Sequence, residues 1–157
     1  MLNEYFGVMV KIISANYGVV DKFIGDAIMA VWGAPRSTQK DAYYAIRACL
    51  EMKMALEKLN EIRLQRGEKK IEIGMGLHHG EVVAGVLGSE DRMEYTVIGD
   101  TVNVASRIES ATKDFGVDLL VSASISEQAK DDFKFQALGE KTLKGKENKT
   151  TLYTVTA

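Results

Sequence analysis

The first forty residues combine a helical pattern with a strongly apolar hairpin pattern. Apolar side chains recur three and four positions apart over residues 2–13, which predicts an amphipathic helix that ends before Asn16. Further along, Gly25-Asp26 fits the two-residue loop of a hairpin that occupies residues 21–33. Residues 27–32 are an almost unbroken apolar run, so we expect this second strand to be buried on both faces.

A long amphipathic helix is predicted next. Thr38, with Asp41 three positions later, is a typical entry to a helix, and the helical spacing continues to about Gln65. The predicted buried face consists of Ala42, Ala45, Ile46, Cys49, Met52, Leu56 and Leu59. The opposite face is charged, so we expect this helix to pack one side against the core.

A second hairpin is predicted after the long helix. Residues 71–77 and 81–86 alternate well enough to form two strands, and we expect them to be joined near Gly80. His78 and His79 are the only histidines of the chain, and neither has another histidine or a cysteine placed for a metal site. We interpret both as structural.

Shorter elements complete the chain. A strand at 93–98 precedes a helix at 101–113, and Asp100 is placed to cap that helix. The remaining predicted elements are strands at 119–122, 133–138 and 151–155 and a short helix at 123–130. Helices that alternate with hairpins predict an α+β sandwich, with helices on one face of a mostly antiparallel sheet.

Composition narrows the class of protein. The chain has 157 residues, of which 46% are hydrophobic and 27% charged, and this suits one compact domain. A net charge of −2 argues against a nucleic-acid partner. Cys49 is the only cysteine, so it cannot form an internal disulfide. The lack of an internal disulfide favours the cytoplasm as the location of the protein. No apolar stretch approaches the roughly 20 residues of a membrane span, so we expect no direct membrane insertion.

Four blocks of the sequence combine charged or polar residues with apolar ones: residues 21–33, 77–85, 95–107 and 143–146. In this order and with these gaps, they closely resemble the catalytic domain of the class III nucleotide cyclases, the adenylate and guanylate cyclase family. The resemblance runs from about Leu2 to the C-terminus. It implies the ferredoxin-like sandwich of that family, and an adenylate cyclase that converts ATP to 3′,5′-cyclic AMP and pyrophosphate.

The resemblance also implies that part of the domain is missing. The family's domain begins with a central strand that carries the first of two metal-binding aspartates, and residues 1–157 lack that strand. We therefore expect one cyclase catalytic domain over residues 1–157, truncated at its N-terminus. The missing aspartate leaves a second hypothesis open, namely a non-catalytic relative that binds nucleotide or dimerises.

Three residues match positions that hold the metal and the base in the family. Asp26 matches the second metal aspartate, which implies Mg²⁺ or Mn²⁺ as cofactor, although aspartate is also common in such turns. Lys22 matches the base-reading lysine and Thr96 its partner, a pair found in a subset of bacterial adenylate cyclases. Guanine O6 can also accept from a lysine, and Thr96 can equally be a plain strand residue.

Three further residues match positions that hold the ribose and the phosphates. Asn103 and Arg107 lie four apart on a predicted helix, where the resemblance implies that Asn103 orients the ribose and Arg107 stabilises the phosphate transition state. Without the resemblance, a polar stripe on a solvated helix is the favoured interpretation of this pair. Lys144 matches the triphosphate-binding lysine, and Lys141 and Lys146 are weaker candidates in the same lysine-rich loop.

In this family each site lies between two subunits. The resemblance therefore implies a symmetric homodimer with two sites, in which Asp26 of one copy faces the base, ribose and phosphate residues of the other. Family members are often attached to other segments, so we expect sensor or regulatory domains upstream, and a parent protein that can be tethered to a membrane.

Overall fold

The computed structural model describes residues 2–142 and 149–156, except for the side chains of Leu2, Leu87 and residues 92–95. The chain divides into two compact units, Met1–Ile73 and Gly74–Ala157. Among the helices of the described residues, none combines the length and the apolar character needed to cross a membrane.

Helices and strands alternate in both units. The first unit contains α1 (Leu2–Ala15), β1 (Val19–Ile24), β2 (Ala27–Val31) and α2 (Asp41–Gln65). The second contains β3 (Met75–Leu77), β4 (Val83–Ser89), β5 (Arg92–Ile98), α3 (Asp100–Phe115), β6 (Leu119–Ser122), α4 (Ala123–Gln128), β7 (Phe135–Thr142) and β8 (Lys149–Val155).

The two helices of the first unit supply its buried apolar residues. Tyr5, Met9 and Ile13 of α1 recur four apart and are buried, as the helical pattern predicts. All seven residues of the predicted apolar face of α2 are buried as well. The predicted helix entry is displaced, because α2 begins at Asp41 itself with Lys40 at the N-cap and no side-chain cap. The Asp41 carboxylate still accepts hydrogen bonds from the Thr38 backbone N–H (3.0 Å) and hydroxyl (2.9 Å) in the segment before the helix.

Strands β1 and β2 form the predicted hairpin, with Gly25 and Asp26 as its loop. Gly25 has φ +61°, a left-handed conformation that glycine adopts without a steric penalty. The residues that flank the loop, Ile24 and Ala27, are a cross-strand pair. The sequence therefore predicted the position of the turn correctly.

The predicted burial of residues 27–32 on both faces is wrong. In β2, Ala27 is exposed and the following four residues are only half-buried. Phe23 and Ile24 of β1 are 49% and 59% exposed. The reason is that the described sheet has only these two strands, and within this unit only one of its faces is covered, by α1.

The end of the hairpin is fastened to the end of α1. The Trp32 indole N–H donates to the backbone carbonyl of Asn16 (2.9 Å). The buried Asn16 amide in turn donates to the Ile12 carbonyl (2.9 Å) and to the Glu51 carboxylate on α2 (3.1 Å). These bonds connect α1, the hairpin and α2, so the direction in which the hairpin leaves the helices is defined.

The second unit is built on a four-stranded sheet with the order β3-β6-β8-β7. Strands β3 and β6 are parallel, and the other neighbours are antiparallel. Helix α3 covers this sheet through Val104, Ile108 and Ala111, which form a buried cluster with Leu120 of β6 and Leu152 of β8. The sheet is mostly antiparallel, as predicted.

The predicted hairpin between residues 71–77 and 81–86 is wrong. Ile71 makes both of its backbone hydrogen bonds with the Asn60 side chain (3.0 and 2.8 Å), so the start of this segment lies along α2 instead of in a strand. Only Met75–Leu77 forms a strand, and it pairs with β6. Strand β4 instead pairs with β5 across a turn at Glu90-Asp91.

The predicted cap of α3 is displaced by one residue. The helix begins at Asp100 itself, Gly99 occupies the N-cap position, and no side chain caps the helix there. Asp100 is thus in the first turn, where its negative charge still interacts favourably with the helix dipole.

Helix α3 approaches β3 so closely that no side chain fits between them at Gly76. A Cβ atom at Gly76 would lie 2.4 Å from the Glu109 backbone nitrogen and 2.9 Å from the Ala105 carbonyl oxygen. These are backbone atoms of α3, which cannot rotate away as a flexible side chain can. The position of α3 on the sheet therefore depends on glycine at this point.

We expect Gly76→Ala to destabilise the protein by about 3 kcal/mol, the upper part of the usual range for an overpacked core. Gly85→Ala, also on a strand of the second unit, is the matched control because nothing lies within 4 Å of its added methyl group. Urea denaturation monitored by circular dichroism measures both variants. Equal stability of the two variants would contradict the close contact.

Candidate active site

Lys22 lies on β1, and a β-bulge decides which face of the hairpin it occupies. Val20 pairs with Ala30 and Lys22 pairs with Met29, so Asp21 is an extra residue of β1 with no partner on β2. Cross-strand partners share a face, and successive residues of a strand alternate between faces. The extra residue therefore moves Lys22 to the face opposite Val20.

The face that Lys22 occupies is the one away from α1. Phe23 marks the helix-covered face, because its ring packs against that of Phe6 of α1 with a centroid distance of 4.6 Å. Val20 shares this face with Phe23, since their partners Ala30 and Ile28 are two residues apart on β2. Lys22 lies on the other face, and its side chain is 49% exposed. Without the bulge it would point towards α1.

Asp26 lies at the tip of the hairpin, where its side chain is exposed. Its negative charge acts on Tyr5 of α1, which is buried. Burial of the phenol is the larger cause that raises the pKa of Tyr5, and the Asp26 carboxylate raises it further. The predicted metal aspartate is thus accessible to a ligand and electrostatically coupled to α1.

Thr96 lies on β5, opposite Gly85 of β4. Its side chain is buried, with 8% of the residue exposed. A buried threonine is compatible with a partner for a base and equally with a plain strand residue. The role of Thr96 stays a prediction.

Asn103 and Arg107 lie on one face of α3. They are four residues apart, and the neighbouring positions Val104 and Ile108 face the sheet. Asn103 is exposed and Arg107 is half-buried. In the described part of this unit, neither side chain makes a hydrogen bond or an ion pair. By its exposure Asn103 is accessible to an external ligand, and Arg107 is partly accessible.

The remaining phosphate candidates are only partly described. Lys144 and Lys146 lie outside the described residues. Lys141, on β7, forms an ion pair with Asp114 near the end of α3. Part of the charge of Lys141 is thus engaged within the second unit.

The structural role predicted for His78 agrees with its contacts. Its Nδ1 lies 2.9 Å from the Ser122 hydroxyl, which lies 2.8 Å from the Ser124 hydroxyl. The Ser124 hydroxyl donates to the His79 carbonyl (3.3 Å). This chain of hydrogen bonds joins the end of β3 to the start of α4.

Cys49, on α2, is buried in the core as predicted. Burial raises the pKa of its thiol to about 12.

Sequence reasoning missed one acidic side chain near the predicted site. Asp21 forms the bulge, and its carboxylate lies 3.7 Å from the Lys22 ammonium group. Adjacent residues of a regular strand point to opposite faces, so nothing in the sequence predicts that these two side chains pair. The only available signal was the charged pair itself in an otherwise apolar strand.

A scan of family models matches the whole chain. The model described as adenylate and guanylate cyclase catalytic domain covers residues 1–157. A curated relative, adenylate cyclase 1 of Rhizobium meliloti (strain 1021), is 37% identical over 155 residues, which cover 99% of this chain and 23% of the relative. The chain thus spans about a quarter of that relative's length.

Solved structures are similar to this chain in sequence and fold. The adenylyl cyclase CyaB from P. aeruginosa is 33% identical with a TM-score of 0.91, and the match covers 99% of this chain and 80% of that one. The guanylyl cyclase Cya2 is 35% identical with a TM-score of 0.87, and the match covers 98% and 77% of the two chains. Because the two neighbours are named for different nucleotides, fold similarity does not identify the base.

The coupling between Asp26 and Tyr5 gives a test of the geometry of the hairpin tip. We expect Asp26→Asn to lower the pKa of Tyr5, because the tyrosinate anion no longer meets a neighbouring negative charge. In Asp26→Asn we expect the pKa of Tyr5 to stay above the ordinary value of a tyrosine, since the phenol is still buried. A pH titration of the Tyr5 ring carbon by ¹³C NMR measures the change. Glu61→Gln, an exposed position on α2, is the control, and an unchanged Tyr5 pKa in Asp26→Asn would contradict the coupling.

Proposed function

Because the chain belongs to the adenylate and guanylate cyclase catalytic domain family, we propose that it converts ATP to 3′,5′-cyclic AMP and pyrophosphate. The family and the fold class agree with those predicted from the sequence motifs. Relatives named adenylate cyclase favour a catalytic domain over the non-catalytic alternative. The observation that carries the proposal is the placement of the exposed Asn103 and the half-buried Arg107 on one side of α3.

The proposed reaction needs a held ribose and a stabilised phosphate. The 3′ oxygen of the ribose attacks the α-phosphorus, the bond from that phosphorus to the bridging oxygen breaks, and pyrophosphate leaves with that electron pair. The hydroxyl proton passes to water. In the proposal, Asn103 hydrogen-bonds the ribose and keeps the 3′ oxygen in line with the leaving group. The permanently charged Arg107 stabilises the negative charge that accumulates on phosphate oxygens, and Lys144 binds the triphosphate.

Lys22 and Thr96 select the base in the proposal. An ammonium group only donates hydrogen bonds, so Lys22 complements N1 of adenine, whereas N1 of guanine carries a hydrogen. The Thr96 hydroxyl accepts from the adenine amino group. The bulge at Asp21 supports this assignment, because it directs Lys22 away from α1 and leaves its ammonium group accessible.

We assign Mg²⁺ or Mn²⁺ to Asp26. Its exposed carboxylate suits a cation whose other ligands are phosphate oxygens and water. Across the described ranges, no group of three or more histidines, cysteines and acidic residues could hold a metal by itself. When bound, such an ion neutralises charge on the phosphates.

The proposed enzyme is a symmetric homodimer with two shared sites. Asp26 of one copy and Lys22, Thr96, Asn103, Arg107 and Lys144 of the other form each site in this proposal. The support is the family membership, together with the accessible positions of Lys22, Asp26, Asn103 and Arg107 in a single copy.

The proposed setting is the cytoplasmic side of a larger signalling protein. Residues 1–157 form its cyclase domain, and other segments supply regulation. The support is that curated relatives are much longer than this chain, which covers 32% of the adenylate cyclase of Anabaena cylindrica.

The direct test is to incubate the chain, and a version extended upstream, with ATP or GTP and Mg²⁺ or Mn²⁺ and to assay the cyclic nucleotide. We expect cyclic AMP in excess of cyclic GMP. Arg107→Ala should leave the fold intact and raise the barrier by about 2 to 4 kcal/mol, like the loss of other transition-state donors. Lys113→Ala, an exposed lysine in the last turn of α3, is the matched control. Cyclic AMP formation by Arg107→Ala at the wild-type rate would contradict the assignment.

The shared site is tested by mixing two inactive variants. In a mixed dimer of Asp26→Asn and Arg107→Ala, one of the two sites keeps both native residues. Random exchange of subunits makes half of the dimers mixed, so we expect recovery of about a quarter of the wild-type activity. Sedimentation confirms that the variants associate. If each copy formed its own complete site, mixing would restore nothing.

A further inference from the structure

Asp21 and Lys22 are adjacent in sequence and nevertheless form an ion pair. In a regular strand, adjacent side chains point to opposite faces and their charged groups lie far apart. Here Asp21 is the extra residue of the bulge, and the Asp21 carboxylate and Lys22 ammonium groups are 3.7 Å apart. The irregularity of the strand is therefore what allows the two charges to meet.

The two partners of this pair differ sharply in burial. The Asp21 side chain is 4% exposed, whereas the Lys22 side chain is 49% exposed. Besides its contact with Lys22, Asp21 makes a further interaction within the protein. The attraction between the buried carboxylate and the accessible ammonium group favours positions of the Lys22 side chain near Asp21.

We propose that Asp21 is a positioning residue that holds the Lys22 ammonium group ready to read the purine base. This inference rests on the proposed role of Lys22 in base recognition. A free lysine samples many rotamers, and binding to a base would have to order them. The carboxylate of Asp21 orders the side chain before the nucleotide arrives, so less affinity is lost on binding.

The ion pair between Asp21 and Lys22 also favours adenine over guanine. A mobile ammonium group can move to O6 of guanine, which also accepts a hydrogen bond. An ammonium group held beside the bulge is confined to a smaller volume, so it meets an acceptor at one position only. Asp21 thus sharpens the choice of base without contacting the nucleotide.

The test compares Asp21→Asn in two backgrounds. In the wild-type chain we expect the KM for ATP to rise about three- to tenfold and kcat to change by less than about twofold, because base contacts are made equally in the ground and transition states. In the Lys22→Ala background, Asp21→Asn should change neither constant. Asp132→Asn, which removes an exposed carboxylate, is the matched control.

The outcomes separate positioning from mere stability. A misfolded fraction lowers the apparent kcat and leaves KM unchanged, so that result would overturn the proposal. An equal rise of KM in both backgrounds would also overturn it, because the effect would then not pass through Lys22.

A second measurement keeps the inference separate from the proposed activity. The ¹⁵N resonance of the Lys22 ammonium group should shift in Asp21→Asn more than the resonance of any other lysine. If the wild-type chain makes no cyclic nucleotide, the proposed function fails, and this spectrum alone decides whether Asp21 holds Lys22. An unshifted Lys22 resonance would overturn the positioning role.

Discussion

The close contact between α3 and β3 is the constraint on which the second unit depends. At Gly76 the helix backbone lies against the strand backbone, and the buried cluster of Val104, Ile108 and Ala111 follows from that approach. Because 104, 108 and 111 face the sheet, 103 and 107 lie together along one flank of that buried stripe. The side that carries Asn103 and Arg107 is therefore decided by the packing of the adjoining face of the helix.

A different constraint acts in the first unit. The bulge at Asp21 changes the alternation of β1 within a single residue. It turns Lys22 away from the helix-covered face, and it brings a buried carboxylate to the same lysine. One inserted residue thus determines both where the cation lies and what holds it. At the proposed site, the bulge that interrupts the strand also sets the positions of the two charged groups.

Helices were easier to predict than strand pairings for a physical reason. The apolar face of α2 depends on a spacing that is local to the helix, and all of its predicted members are buried. Strand pairing depends on partners that are distant in sequence. The segment from Ile71 looked like half of a hairpin, yet the Asn60 side chain takes its backbone hydrogen bonds. Burial of β2 was overestimated for a related reason, since apolar composition does not reveal which layers cover a sheet.

The sequence alone determined the family, the mixed α+β architecture, the hairpin turn at Gly25-Asp26 and the residue types of the proposed site. These follow from motif order, local periodicity and turn chemistry, which need no knowledge of distant contacts. Only the tertiary structure decided that β3 pairs with β6, that α3 meets β3 at Gly76, and that Asp21 lies beside Lys22. Each of these depends on register or on close approach between backbones, and a shift of one residue would reverse the faces of a strand without altering its composition.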